Sequence, residues 1–491
     1  MSPSYGLRIP SDATDPLEDG VTATAEGSTD TTGGDETGTV NRGLVQGRWI
    51  GHWEPEDPGF WERTGKKIAN RNLWASILVE HVGFSVWTLW SVFVLFMGPE
   101  YGVDAAGKFF LGATATLVGA ILRVPYTFAV ARFGGRNWTV VSALLLLIPT
   151  IAAAFVLQPG TPYAVFVVMA ALAGFGGGNF ASSMTNINAF FPEGRKGTAL
   201  GLNAGGGNLG VALIQLLALL TIATAGAGQP KILLMIYIPL IVVCAVVAAF
   251  SMENLSSVSN DKGAMKLALR EKDTGIMSFL YIGTFGSFIG YSFAFGLVLQ
   301  TQFGRTPLQA AAVTFIGPLL GSFIRPLGGY LADRLGGARV SQWNFVLMAV
   351  AALVCILASG ADSLALFTLG FILLFVFSGI GNGSTYKMIP AIFRRQALGR
   401  IAAGAAEGPT MLHARRVSGA AIGLISAVGA LGGLAINLAF RQSFAATKSG
   451  VPAFWAFLAF YLVCAVVTYR VYAKQKATVR AAPDRSALAR V

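Results

Sequence analysis

Two arginines stand in apolar surroundings where a charge is expensive. Arg123 lies in "LRVPYTFAVARFGG" (122–135) and Arg325 in "IRPLGGYLADRLGG" (324–337). Nine residues after each comes a second arginine, Arg132 or Arg334, and then x-Gly-Gly. Nine residues of α-helix rise about 13 Å. If Arg132 and Arg334 mark the ends of two membrane helices, Arg123 and Arg325 fall near the middle of a hydrocarbon core about 30 Å thick. A charge there costs at least about 2.5–3.5 kcal/mol. The depth exceeds the reach of an arginine side chain, so snorkelling does not relieve it. A buried carboxylate would, but the apolar runs hold only Glu80, and one Glu cannot neutralise two arginines on separate segments. Guanidinium is a planar fork that binds flat oxyanions bidentately. The chemistry these residues suit is capture of a small anion between two cations, with the missing counter-charge supplied by the ligand.

The elements that would position them are membrane helices. Of 491 residues, 54% are hydrophobic and 12% charged, against about 25% charged in a soluble domain. With about 20 apolar residues needed per crossing, spans are predicted at 74–98, 107–131, 137–158, 161–190, 197–225 and 230–252. A second set follows at 275–303, 306–333, 340–360, 362–393, 416–441 and 451–473. Residues 253–274 are the long polar stretch between the sets and read as a cytoplasmic linker between six-helix bundles at 71–252 and 275–473. Residues 1–70 combine a disordered acidic tail with an interfacial segment, and 474–491 form a cytoplasmic tail. Trp49, Trp53 and Trp61 beside basic residues suit a membrane interface and equally an ordinary linker. An N-terminus placed inside puts fifteen Lys/Arg in the internal loops and five in the external ones, so both termini are expected in the cytoplasm. The +12 net charge is then topological, and no nucleic-acid partner is needed to explain it. Cys244, Cys355 and Cys464 all lie in apolar runs and imply no disulfide framework.

The arginine segments belong to a longer repeat. "GGGNFASSMTNINAFF" (176–191) matches "GIGNGSTYKMIPAIF" (379–393): Phe190 follows Asn179 by eleven residues, as Phe393 follows Asn382. The predicted fold class is an all-α integral membrane protein, twelve transmembrane helices in two pseudo-symmetric six-helix bundles. Parallel repeats with a site between them describe the major facilitator architecture. "GGYLADRLGG" (328–337) resembles that superfamily's loop motif between helices 8 and 9, with Asp333 and Arg334 intact, whereas its first-half counterpart has Ala131 where the acid would be. Repeat symmetry would set Arg123 and Arg325 face to face across a central cavity. Glycine in "GLNAGGGNLG" (201–210) and "SAVGALGGLAINLAF" (426–440) would let helices approach closely and leave a narrow site. Such a site disfavours sugars and bulky drugs.

"GGGNFASSMTNINAFFP", "GLNAGGGNLG", "GTFGSFIGYSFAF" (283–295) and "GNGSTYKMIP" (381–390) together resemble the NarK/NarU-type nitrate/nitrite porters of the major facilitator superfamily, from about Asn72 to about Tyr472. The resemblance implies a nitrate and nitrite transporter working by alternating access, with the anion between Arg123 and Arg325. It further implies substrate-binding roles for Tyr281, Phe285, Phe180 and Asn208, although packing alone would also account for Phe180 and Phe285. The expected partners are nitrate, nitrite and the bilayer of a cell inner membrane; the expected state is a monomer without cofactor or metal.

Other classes fit less well. An intramembrane enzyme would need a cluster of His, Cys or acid, but His52 and His413 lie outside the predicted spans and His81 is alone inside one. A binding-only nitrate sensor would not need alternating halves. Within transporters, nitrate/nitrite antiport competes with proton-coupled symport, for which Glu80 and His81 are the titratable candidates. Lys387 is a third intramembrane charge; it either adds potential to the cavity or reaches the cytoplasmic interface.

Overall fold

The structure, a computed structural model, describes residues 48–258 and 261–474. The acidic tail expected before Arg48 and the tail after Lys474 lie outside the described residues. Twelve helices are long and apolar enough to cross a membrane. Spans 1 to 6 are Pro58–Phe96, Ala105–Phe133, Gly135–Val156, Tyr163–Phe190, Glu193–Ala225 and Lys231–Ser251. Spans 7 to 12 are Lys272–Phe303, Pro307–Leu335, Gly337–Gly360, Leu364–Ala402, Glu407–Thr447 and Val451–Ala473.

Local chemistry sets where these helices begin and stop. Asp57 caps span 1, accepting from the backbone N–H groups of Gly59 (3.2 Å) and Phe60 (2.8 Å), with Pro58 at the first helical position. Span 8 opens on a reciprocal capping box between Thr306 and Gln309. The x-Gly-Gly of the repeat is a helix stop. Gly134 and Gly336 take φ of 87° and 91°, a region open to glycine at no steric cost, and the next helix starts at the following residue. Pro125 and Pro326 lie inside spans 2 and 8, two residues and one residue beyond the arginines. Each removes a backbone donor from its helix at that depth.

Spans 1 and 7 are the most enclosed, while Trp74, Phe155, Met235, Phe250, Phe323 and Trp455 turn outward. An apolar exterior is what lipid-facing helices require. Spans 7 and 11 cross at glycine: a Cβ on Gly286 would lie 2.6 Å from Gly432 Cα, and the converse distance is the same. The two halves meet near the ends of spans 1 and 7 and at the start of span 2. Phe109 stacks on Phe440 (5.5 Å) and Phe444 (5.2 Å) of span 11. Gln300 donates to the Leu95 carbonyl at 3.2 Å.

At the other end, the segment before span 1 is ordered. Trp49–Ile50 pairs in parallel with Asn254–Leu255. Glu253 ties to span 1 through Arg71 and through Asn72, whose Nδ2 donates at 2.7 Å. Trp53 meets Phe190 edge-on (5.2 Å), and Trp61 is buried against Phe191. The linker between the halves is not all irregular chain. Lys262–Arg270 is a helix capped by Asp261, which also binds Arg416 of span 11.

Candidate functional site

Span 2 delivers Arg123 and span 8 delivers Arg325, with 0% and 5% of their surface exposed. Span 7 runs between them and carries a π-helical turn at Ile282–Gly286, directly after Tyr281. Such turns accommodate one extra residue in a helix and often occur at functional positions. Here the "GTFG" sequence provides the slack. Tyr281 and Phe285, on successive turns, stack with centroids 5.4 Å apart and planes 11° off parallel.

The Arg123 guanidinium lies against aromatic faces, with Cζ 4.5 Å from the Phe180 centroid, 4.7 Å from Phe285 and 5.5 Å from Trp87. Ring quadrupoles stabilise a cation so placed. Its Nε donates to the Gly177 carbonyl at 3.2 Å, and its Nη1 donates to Ser426 Oγ at 2.7 Å and to the Ser426 carbonyl at 3.1 Å. Arg325 donates from Nη2 to the Tyr281 hydroxyl at 3.4 Å, and its Cζ stands 5.7 Å from the Tyr386 ring. The two arginines are thus the ends of one series, Arg123–Phe285–Tyr281–Arg325, that crosses from the first half to the second. Each keeps one nitrogen without a partner among the described residues, Nη2 of Arg123 and Nη1 of Arg325. Buried donors in a membrane interior are normally paired, so the free nitrogen at each end of this series is available to an acceptor.

The structure therefore gathers Arg123, Phe180, Phe285, Tyr281 and Arg325. It does not join Asn208 to them by any hydrogen bond or ring contact among the described residues. Asn208 is buried in span 5 with both amide atoms unpartnered. Sequence reasoning missed Ser426, Trp87 and Tyr386. Ser426 heads the glycine-rich stretch of span 11, and Tyr386 lies inside "GNGSTYKMIP", so both signals were present without a rule for reading them. Lys387 points elsewhere: its Nζ pairs with Asp333 at 2.8 Å, with both side chains substantially exposed.

Residues 79–406 match the family model described as Major Facilitator Superfamily. The chain is 41% identical over 448 residues to the nitrate/nitrite transporter NarU of Salmonella typhimurium, covering 87% of this chain and 96% of that one. The chain belongs to the NarK/NarU branch of the major facilitator superfamily. A probable nitrate/nitrite antiporter, NarK2 of Thermus thermophilus, is 36% identical, with 74% of this chain and 88% of the relative covered. The superfamily fold is also seen in a D-xylose-proton symporter structure, with a TM-score of 0.60 at 14% identity, covering 82% of this chain and 97% of that one. A multi-pass membrane carrier of this superfamily is built on two helical halves, and here both arginines lie where the halves face each other.

Proposed function

We propose that the protein carries nitrate and nitrite across the cell inner membrane by alternating access, one anion at a time, between Arg123 and Arg325. The observation that carries this reading is the pair of buried guanidiniums sharing one aromatic series, each with a free N–H group. A planar monovalent oxyanion accepts from both forks, while Phe285, Tyr281 and Phe180 form the wall against which it lies. Asn208 contributes an amide from span 5. The names of the relatives, nitrate/nitrite transporters and a probable antiporter, support the same cargo.

Exchange follows from the cost of the empty site. Reorienting two uncompensated guanidiniums through a closed state costs on the order of several kcal/mol of desolvation. A bound anion offsets part of that, so the loaded carrier changes sides faster than the empty one. Arginine does not release a proton under these conditions, so the pair alone supplies no proton coupling. One observation favours the rival reading, proton-coupled uptake: Glu80 is buried within electrostatic range of both arginines. The basic internal loops put both termini in the cytoplasm. The contacts among Phe109, Phe440 and Phe444 then close the external side. The protein works as a monomer and catalyses no covalent chemistry.

The test is conservative substitution. Arg123→Lys and Arg325→Lys keep the charge and lose the fork. Each should cut nitrate uptake by about tenfold or more, one charge-assisted hydrogen bond being worth about 1.5–3 kcal/mol, with normal membrane yield. Full uptake by either variant would remove the two-arginine site.

A further inference from the structure

We propose that the exposed face of the linker helix, Lys262–Arg270, is a docking surface for the anionic phospholipid headgroups of the adjacent leaflet. The inference does not depend on the nitrate site.

Span 11 gives the depth of this helix. Residues 417–440 of that span carry no charge, and Arg416 and Arg441 bound them. Those 24 residues rise about 36 Å, slightly more than a hydrocarbon core of about 30 Å. Arg416 therefore stands at one edge of the bilayer. Its Nε donates to Asp261 Oδ2 at 2.6 Å, and Asp261 Oδ1 caps the linker helix by accepting from the Ala264 N–H at 2.8 Å. The linker helix thus begins at headgroup level.

Its two faces are sorted by charge. Ala264 and Ala268 are buried, and the helix packs on span 11. Lys262, Lys266 and Arg270 recur every four residues on the opposite side, and all three are exposed. No acid pairs with any of them among the described residues. The acids of the segment are engaged elsewhere. Asp261 holds the cap and Arg416, Glu271 lines a cleft with Arg400 and His413, and Asp273 accepts from Gln396 and from the Tyr472 hydroxyl, both at 2.7 Å.

Cations on an outward helix face need only water. Here they come with apolar side chains that water disfavours: Leu269 is 65% exposed and Leu267 42%. Leu269 continues the line of Lys262 and Lys266, and Leu267 lies one turn from Arg270. Basic residues with leucine beside them, at the edge of a bilayer, match a helix lying in the membrane interface. Anionic phospholipid supplies both halves of the complement, phosphate for the cations and acyl chain for the leucines.

Hydrogen exchange of the purified full-length carrier in lipid nanodiscs tests this, with phosphatidylcholine alone against an equal mixture of phosphatidylcholine and phosphatidylglycerol. Amides of 264–270 should exchange at least about fivefold more slowly in the anionic discs at low salt, the factor that one Lys or Arg contributes at an anionic surface. The difference should largely vanish at about 1 M salt, where the screening length is about 3 Å. It should also vanish in the triple variant Lys262→Gln, Lys266→Gln, Arg270→Gln. Equal exchange in the two lipids, or a difference that survives in the variant, would overturn the proposal. Should the variant not fold, the salt response of the wild type decides, and insensitivity to salt would count against the surface. Equal protection from inorganic phosphate added to phosphatidylcholine discs would mean an ion site in place of a lipid surface, and would overturn it too.

Discussion

Ser426 of span 11 takes two hydrogen bonds from the Arg123 guanidinium of span 2, at 2.7 Å to Oγ and 3.1 Å to the carbonyl oxygen. The bond spans the two halves, so it has to break and re-form as they rock. It also orients the fork, leaving Nη2 as the free donor. Ser426→Ala keeps the carbonyl acceptor and loses the hydroxyl. Nitrate uptake should fall about threefold to tenfold, within the range for one hydrogen bond to a charged group, with yield unchanged. Initial rates at saturating and limiting nitrate would show it; unaltered rates would mean that Ser426 merely lies nearby.

The aromatic wall gives a graded expectation. Tyr281→Phe removes only the hydroxyl that accepts from Arg325 at 3.4 Å, so nitrate affinity should weaken a few-fold. Phe285→Ala removes the ring between Tyr281 and Arg123 and should weaken it further, by about tenfold for a lost cation–π face together with a stacked pair. Both are read from KM for nitrate beside the amount of protein in the membrane. A fall in yield with KM unchanged would make these rings packing residues.

Close approach of spans 7 and 11 makes a stability prediction. Gly286→Ala would press a methyl against Gly432 Cα at 2.6 Å, an overpacking that costs about 1–3 kcal/mol. Gly275→Ala, in the same span with open space around it, should be neutral. Melting temperatures of the two purified variants decide it, and equal values would show that the crossing yields easily.

The linker helix carries a pH expectation. The carboxyl of Asp261 is held below the usual carboxylate range, first by the backbone N–H of Ala264 and also by Arg416. A lowered folded-state pKa contributes stability that is present above the unfolded value, about 3.9, and lost as pH falls through the lower folded value. Amides of 264–270 should therefore stay protected at mildly acidic pH and lose protection only below about pH 4. Asp261→Asn should show that loss at neutral pH. Hydrogen exchange corrected for intrinsic rates measures both, and identical protection in the variant would contradict the capping role.

Much of the architecture was legible because it is written in periodic, physically forced features. Apolar length marks a span, and the repeated x-Gly-Gly was visible as a pattern although its part as a helix stop came only with the φ of Gly134 and Gly336. The burial of Arg123 and Arg325 inside apolar helices was legible in the runs that hold them. What escaped was set by tertiary contact. Ser426 carries no pattern that separates it from other small residues in a glycine-rich helix; only the approach of Arg123 from 303 residues away gives it a part. Tyr386 sits beside Arg325 because span 10 packs on span 8. The helix at Lys262–Arg270 looked polar throughout, since its packed face is only Ala264 and Ala268. Asn208 was named only through the family resemblance, and its neighbours depend on how span 5 is rotated.

Vesicle counterflow measures the exchange of one anion for another directly. Proteoliposomes containing the purified protein are loaded with nitrite or left free of permeant anion, and uptake of labelled external nitrate is followed with and without a protonophore. An exchanger shows rapid uptake into nitrite-loaded vesicles, little into empty ones, and indifference to the protonophore. Uptake into empty vesicles driven by an inward proton gradient, and abolished by Glu80→Gln or His81→Ala, would contradict it.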